Sequence, residues 1–142
     1  MMMGKSLVIA VDFDGTVVEH KYPAIGKEMP FAFATLKELQ KRGHRLIMWT
    51  YRHGRTLDEA VEYCRKNGIE FYAINSSFPE EEFNPKEASR KLDCDMFIDD
   101  RNVGGFLGWG EIFRIIHPEA GGGDVQRPQQ QKKGLLSKLF GG

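Results

Sequence analysis

Cysteine is scarce: Cys64 and Cys94 are the only two in the chain. Two cannot build a disulfide framework, and no Cys-x-x-Cys pair or Cys/His cluster offers a zinc site. A reduced cytoplasm is the expected setting. Long hydrophobic runs are missing as well. No stretch approaches the ~20 apolar residues of a membrane span. The apolar run Leu7–Val11, which follows Met1-Met2-Met3-Gly4-Lys5, stops at Asp12 and is too short for a signal-peptide core. Nor is there an excess of one charge. The 20 Lys and Arg balance the 20 Asp and Glu, which excludes the strongly basic profile of a general nucleic-acid or membrane-surface binder.

What is present describes an ordinary globular chain. Its 142 residues are 41% apolar and 28% charged, enough for one domain that buries about 70% of its unfolded surface. The composition changes after His117-Pro118. Residues 119–142 carry Gly121-Gly122-Gly123, Gln129-Gln130-Gln131 and Lys132-Lys133 and end in Gly141-Gly142. Such a segment lacks the apolar density to offset its ordering entropy, so the expectation is a flexible tail behind a domain spanning 1–118. Leu135, Leu136, Leu139 and Phe140 fall at helical spacing beside lysines, but six residues of pattern make a marginal helix, and a frayed terminus is the plainer reading.

Within residues 1–118, short apolar runs alternate with amphipathic stretches. Leu7–Val11, Leu46–Trp49, Phe71–Ile74, Met96–Ile98 and Ile112–Ile116 read as five strands of the kind buried on both faces. Helices fill the gaps. Pro30 is a good first helical residue, followed by Phe33, Leu36 and Leu39 and a stop at Gly43. Thr56 and Glu59 suggest a capping box, with Leu57, Ala60, Val61 and Cys64 on one face and Gly68 ending the pattern. Pro85 opens a third helix containing Ala88 and Leu92. This alternation predicts an α/β, Rossmann-like fold: a parallel sheet of about five strands with helices on both faces.

Ligands in such sheets bind beyond the C-terminal strand ends, and the acidic residues gather there. The first strand leads into Asp12-Phe13-Asp14-Gly15-Thr16, the second into Thr50-Tyr51-Arg52, and the fourth into Asp99-Asp100-Arg101. Two unit charges ~4 Å apart repel by about 4 kcal/mol at an effective dielectric near 20. Four carboxylates on one rim therefore call for a cation. Oxygen donors without His or Cys favour a hard ion, and few carboxylates with room for water suit Mg²⁺.

The run Asp12-Phe13-Asp14-Gly15-Thr16 after an apolar strand resembles motif I of the haloacid dehalogenase superfamily. Thr50, a following Lys, and Asp99-Asp100 stand in the order of its other three motifs, over roughly residues 7–103. The resemblance implies Asp12 as the nucleophile that becomes an aspartyl phosphate. It implies Asp14 as the acid that protonates the leaving oxygen and then activates water. Thr50 and a lysine would bind the phosphoryl group. Asp12, Asp14 (through its main-chain carbonyl), Asp99 and Asp100 would hold Mg²⁺. Lys91, eight residues before Asp99, fits the motif III spacing of capless members, with Lys86 as its rival. Gly15 permits the turn, and Thr16 braces it and borders the phosphate.

An acid at Asp14 points to phosphatases or phosphomutases rather than ion pumps or dehalogenases. The stretches Thr16–Pro30 and Asn75–Pro85 are too short for the cap domain a mutase needs. The expectation is a capless phosphatase acting on a phosphorylated small molecule or macromolecule. Without a lid to exclude water, either a large substrate or a second copy of the chain must cover the site; small capless relatives often form oligomers, so the resemblance implies a homo-oligomer. A phospho-acceptor signalling domain would place an Asp after the third strand, where Asn75 stands, and its Lys last. An inactive scaffold would show degraded motifs. Near the site, Arg52, His53, Arg55 and Arg101 are candidates to grip a second anionic group. Residues 22–26 (Tyr-Pro-Ala-Ile-Gly) occupy the place of the family's flap. His20, His44 and His117 read as structural or exposed, Trp49 and Trp109 as core or interface aromatics, and Glu80-Glu81-Glu82 as a solvated loop.

Overall fold

The computed structural model describes residues 5–79 and 92–120. The chain divides into two compact units, one through Phe106 and one from Leu107 onward.

The larger unit is built on four parallel strands, β1 (Val8–Val11), β2 (Arg45–Met48), β3 (Ala73–Ile74) and β4 (Met96–Ile98), in the order β3-β2-β1-β4. Val11 pairs with both Met48 and Ile98, so the two inner strands and β4 finish level with one another. Side chains alternate across a strand. Ile9, Val11, Leu46, Met48 and Ile98 thus share one face, and all are buried. Ala10, Ile47 and Ala73 form a buried cluster on the other, with Val8, Tyr72, Leu92 and Cys94 around it. Burial on both faces explains why these strands read as continuous apolar runs.

Helices α1 (Ala32–Lys41) and α2 (Gly54–Lys66) connect β1 to β2 and β2 to β3. Both connections step the same way across the sheet, and right-handed crossovers put both helices on one face. Their contact confirms it: the Phe33 and Tyr63 rings lie 5.8 Å apart. Each helix ends as its glycine predicts. After α1, Gly43 and His44 donate to the carbonyls of Gln40 and Leu39; after α2, Gly68 and Ile69 donate to those of Arg65 and Cys64. With φ of 97° and 91° these glycines close two Schellman turns.

The helix starts differ from expectation. Pro30 precedes α1 by two residues; Glu28 Oε2 instead accepts the Phe33 N–H at 3.0 Å and satisfies an early helix donor. No Thr56 capping box forms. Helix α2 already begins at Gly54, and the Thr56 hydroxyl donates to the His53 carbonyl at 2.9 Å. The helix expected from Pro85 lies outside the described residues except for Leu92, which is not helical.

The smaller unit overturns one expectation outright. Ile112–Ile116 is not a fifth strand but part of helix α3 (Trp109–Ile116), followed by a 3₁₀ turn over Pro118–Ala120. A short apolar run cannot by itself distinguish a buried strand from a buried helix. Here Trp109, Ile112, Phe113 and Ile116 fall at helical spacing, the first three are buried, and Ile115 between them is exposed. The 3₁₀ turn straddles the boundary expected between 118 and 119. Of the expected tail, only Glu119 and Ala120 are described.

Candidate active site

The strand ends bring the acidic residues together. Asp12 follows β1, and its N–H donates to the Ile98 carbonyl at 2.9 Å, so Asp12 stands beside the Asp99-Asp100 pair that follows β4. On the other side the Trp49 N–H donates to the Val11 carbonyl at 2.9 Å, drawing Thr50 to the same rim. After Asp12 the chain turns sharply, with the Thr16 and Val17 N–H groups donating to the Phe13 carbonyl. Gly15 makes the turn at φ 85°, and a Cβ there would collide with the Asp100 carboxylate. The glycine is therefore required twice, once for its backbone and once for the approach of Asp100.

Asp12 is largely shielded from water. Burial pushes its carboxyl up from 3.8 to about 6, opposed by the Phe13 N–H that donates to Oδ1 at 2.8 Å and reinforced by Asp100, Asp14 and Asp99. Among the described residues no cation pairs with Asp12, Asp99 or Asp100. Nor do any three of the described His, Cys, Asp and Glu side chains stand close enough to hold a metal ion.

Asp14 is the carboxylate that does have a partner. Arg52 Nε and Nη2 donate to its two oxygens at 2.8 Å each. The remaining Arg52 hydrogens reach the carbonyls of Pro23 (3.2 Å), Thr56 (3.1 Å) and Ala24 (2.8 Å). Its guanidinium lies 5.1 Å from the ring centres of both Phe13 and Tyr22. Arg52 is only 2% exposed, and Asp14 raises its pKa above the ordinary arginine value. A guanidinium has five N–H donors, and all five are used within the chain. Arg52 was expected as a grip on substrate; in this arrangement it has no donor left for one and instead fixes Asp14.

Thr50 is held at two points. Its N–H donates to Asn75 Oδ1 at 2.8 Å, and its hydroxyl oxygen accepts the Arg52 N–H at 3.1 Å. Asn75 closes β3 in a left-handed conformation, φ 53°, with its own N–H on the Met48 carbonyl. Asn75 is a site residue that sequence reasoning misses. The usable signal was an Asn, tolerant of left-handed backbone, immediately after a strand.

Other expected residues separate clearly. Thr16 is fully buried, which suits a brace for the turn and keeps it from a substrate in this conformation. Arg101 lies over the Tyr51 ring at 5.5 Å, and Tyr51 is itself 86% exposed. His53 precedes α2, and exposed Arg55 faces Glu59. His44 is structural, its Nδ1 accepting the Leu7 N–H. Lys91 and Lys86 lie outside the described residues, as do Glu80, Glu81 and Glu82.

A parallel sheet flanked by helices, with an acidic cluster at its strand ends, defines an α/β protein of Rossmann-like architecture. A solved structure of a conserved protein from Bacteroides thetaiotaomicron is 56% identical, with a TM-score of 0.74 over 81% of this chain and 93% of that one. At that identity and coverage the chain belongs to the same family as the Bacteroides protein. No protein-family model matches the sequence, and neither does any curated protein.

Proposed function

We propose that the chain is a capless Mg²⁺-dependent phosphomonoester hydrolase of the haloacid dehalogenase type, working in the cytoplasm. The observation that carries this reading is the half-buried Asp12 carboxylate at one end of the sheet, its charge opposed by burial and by Asp100, Asp14 and Asp99. In the proposed reaction Asp12 Oδ1 stays on the Phe13 N–H while Oδ2 attacks phosphorus in line. The P–O bond to the leaving group breaks, and Asp14 delivers a proton to the departing oxygen. Each Asp14 oxygen retains a lone pair beyond the one Arg52 occupies, so a proton has a place to sit while Arg52 stays bound. Water then attacks the aspartyl phosphate, Asp14 takes its proton, and phosphate leaves. Because the Thr50 oxygen already accepts the Arg52 N–H, its hydroxyl hydrogen is available to a phosphoryl oxygen.

The donors suit a hard cation. Mg²⁺ is commonly held by one or two carboxylates, with water and phosphate completing its shell. The residues that would hold it are Asp12 with Asp99 or Asp100, joined by the main-chain carbonyl of Asp14, whose carboxylate is committed to Arg52; the three carboxylates do not stand close enough to bind one ion together. When bound, Mg²⁺ would offset the charge crowded around Asp12 and that of the incoming phosphate.

The test is p-nitrophenyl phosphate hydrolysis by the wild-type protein and Asp12→Asn, with and without Mg²⁺. Metal-dependent turnover lost in the variant is expected. A wild-type protein inert toward this ester, acetyl phosphate and nucleotides overturns the reading. The short connections around the site leave water unexcluded, so we infer a homo-oligomer; a monomeric mass by light scattering at all concentrations would refute that.

A further inference from the structure

We propose that Arg52 is a positioning residue that latches the hairpin of residues 17–29 to the Asp14 carboxylate, so that hairpin position and acid orientation are set together; this rests on the hydrolase reading above. The hairpin is a real paired element. Glu19 N–H donates to the Lys27 carbonyl and Met29 N–H to the Val17 carbonyl, both at 2.8 Å, and Val18 bridges antiparallel to Glu28. Its turn exposes the carbonyls of Pro23 and Ala24, and both are taken by Arg52 Nη atoms. The same guanidinium holds both oxygens of Asp14 and the Thr56 carbonyl in α2, between the Phe13 and Tyr22 rings.

This arrangement is more than a buried ion pair. Arg52 follows directly from the strand end that carries Thr50, while Asp14 belongs to the turn that carries Asp12. One planar fork with fixed donor directions therefore registers three pieces of chain against one another. A lysine could satisfy one or two of these acceptors but not five. If the hairpin swings away, Arg52 loses two carbonyl partners; if Asp14 turns, it loses its bidentate pair. Neither can move far without the other.

The consequence is a dependence on the leaving group. An alkyl alkoxide needs the Asp14 proton to depart, whereas p-nitrophenolate departs without it, so misaligning Asp14 harms the first substrate selectively. We would measure kcat/KM for wild type, Arg52→Lys and Arg52→Gln on p-nitrophenyl phosphate and on glycerol 2-phosphate. Amide hydrogen exchange in residues 19–27 would be followed in the same proteins and in Asp14→Ala.

The expected result is a loss of about 100-fold or more on the alkyl ester, the range of a general-acid contribution, against less than about tenfold on the aryl ester. Exchange in 19–27 should quicken about tenfold in all three variants, while β1 and β2 stay protected and show the fold intact. Equal losses on both esters mean that Arg52 only supports the fold, and overturn its role on Asp14. Unchanged exchange in Asp14→Ala means that the hairpin is held independently of the acid, and overturns the coupling. A wild-type protein that hydrolyses neither ester overturns the proposed function instead, and the exchange data alone then decide the latch.

Discussion

Replacing Asp12 by Asn should make the protein more stable while abolishing its turnover. The reason is the upward shift of the Asp12 carboxyl from 3.8 to about 6, caused first by burial and then by Asp100, Asp14 and Asp99. Two units at 1.36 kcal/mol each amount to about 3 kcal/mol. The sign follows from proton linkage. Because the folded pKa is raised, the native protein holds a proton between pH ~4 and 6 that the unfolded chain has released, so stability falls as pH rises through that window. Above pH 6 the folded carboxylate carries the full penalty; below pH 4 both states are protonated and the penalty vanishes. Asn removes the charge but keeps an Oδ1 to accept the Phe13 N–H. The stronger hydrogen bond that an anion makes there offsets part of the gain, leaving ~1–3 kcal/mol at pH 7.5. For a chain of this size that raises Tm by roughly 4–12 °C. Thermal or urea denaturation in EDTA, at pH 7.5 and pH 4, measures it. A variant no more stable than wild type at pH 7.5, or a gain that persists undiminished at pH 4, refutes the electrostatic account of Asp12.

Three further outcomes follow from the same geometry, and a fourth from the spacing of the motifs in the sequence. Gly15→Ala sets a Cβ against the Asp100 carboxylate at φ 85°; it should cost ~1–3 kcal/mol and most of the turnover, read by melting and by steady-state kinetics. Asn75→Ala strands the Thr50 N–H and places Ala in a left-handed conformation, costing ~1–3 kcal/mol. Asn75→Gly relieves only the backbone half, so it should melt higher than the alanine variant while remaining impaired in kcat/KM. Mg²⁺ should stabilise wild type by about 1.4 kcal/mol for each tenfold excess over its Kd, and Asp12→Asn much less, as denaturation with and without EDTA would show. Of Lys91→Met and Lys86→Met, the first should be the crippling change in turnover, and a normal rate in that variant would transfer the phosphoryl-binding role to Lys86.

Much of this protein was legible without its fold because its chemistry is local in sequence. The runs ending at Asp12, Thr50 and Asp99 are short, apolar and β-branched or aromatic, and each stops at polar residues. A parallel sheet needs all its strands to point one way, so those polar stops had to share one rim. Gly43 and Gly68 announced both helix ends for an equally local reason, since a left-handed residue after a helix favours glycine.

The remainder depended on partners distant in the chain. Ile112–Ile116 is apolar enough for a strand, and its helical conformation follows from which of its side chains are buried. Glu28 rather than Pro30 serves the start of α1, and α2 begins ahead of the residues that mimic a capping box. Arg52 shows the limit most plainly. Its sequence neighbours suggested an exposed cation ready for substrate, but five acceptors from Asp14, the hairpin and α2 surround it at 2% exposure. Asn75 likewise acquires its role only because β3 ends beside β2. The sequence by itself determined which groups stand at the strand ends, because strand pattern and direction are local. Tertiary structure alone decided which of those groups are satisfied and which are left to react, because hydrogen-bond partners and burial are set by packing between segments far apart in the chain.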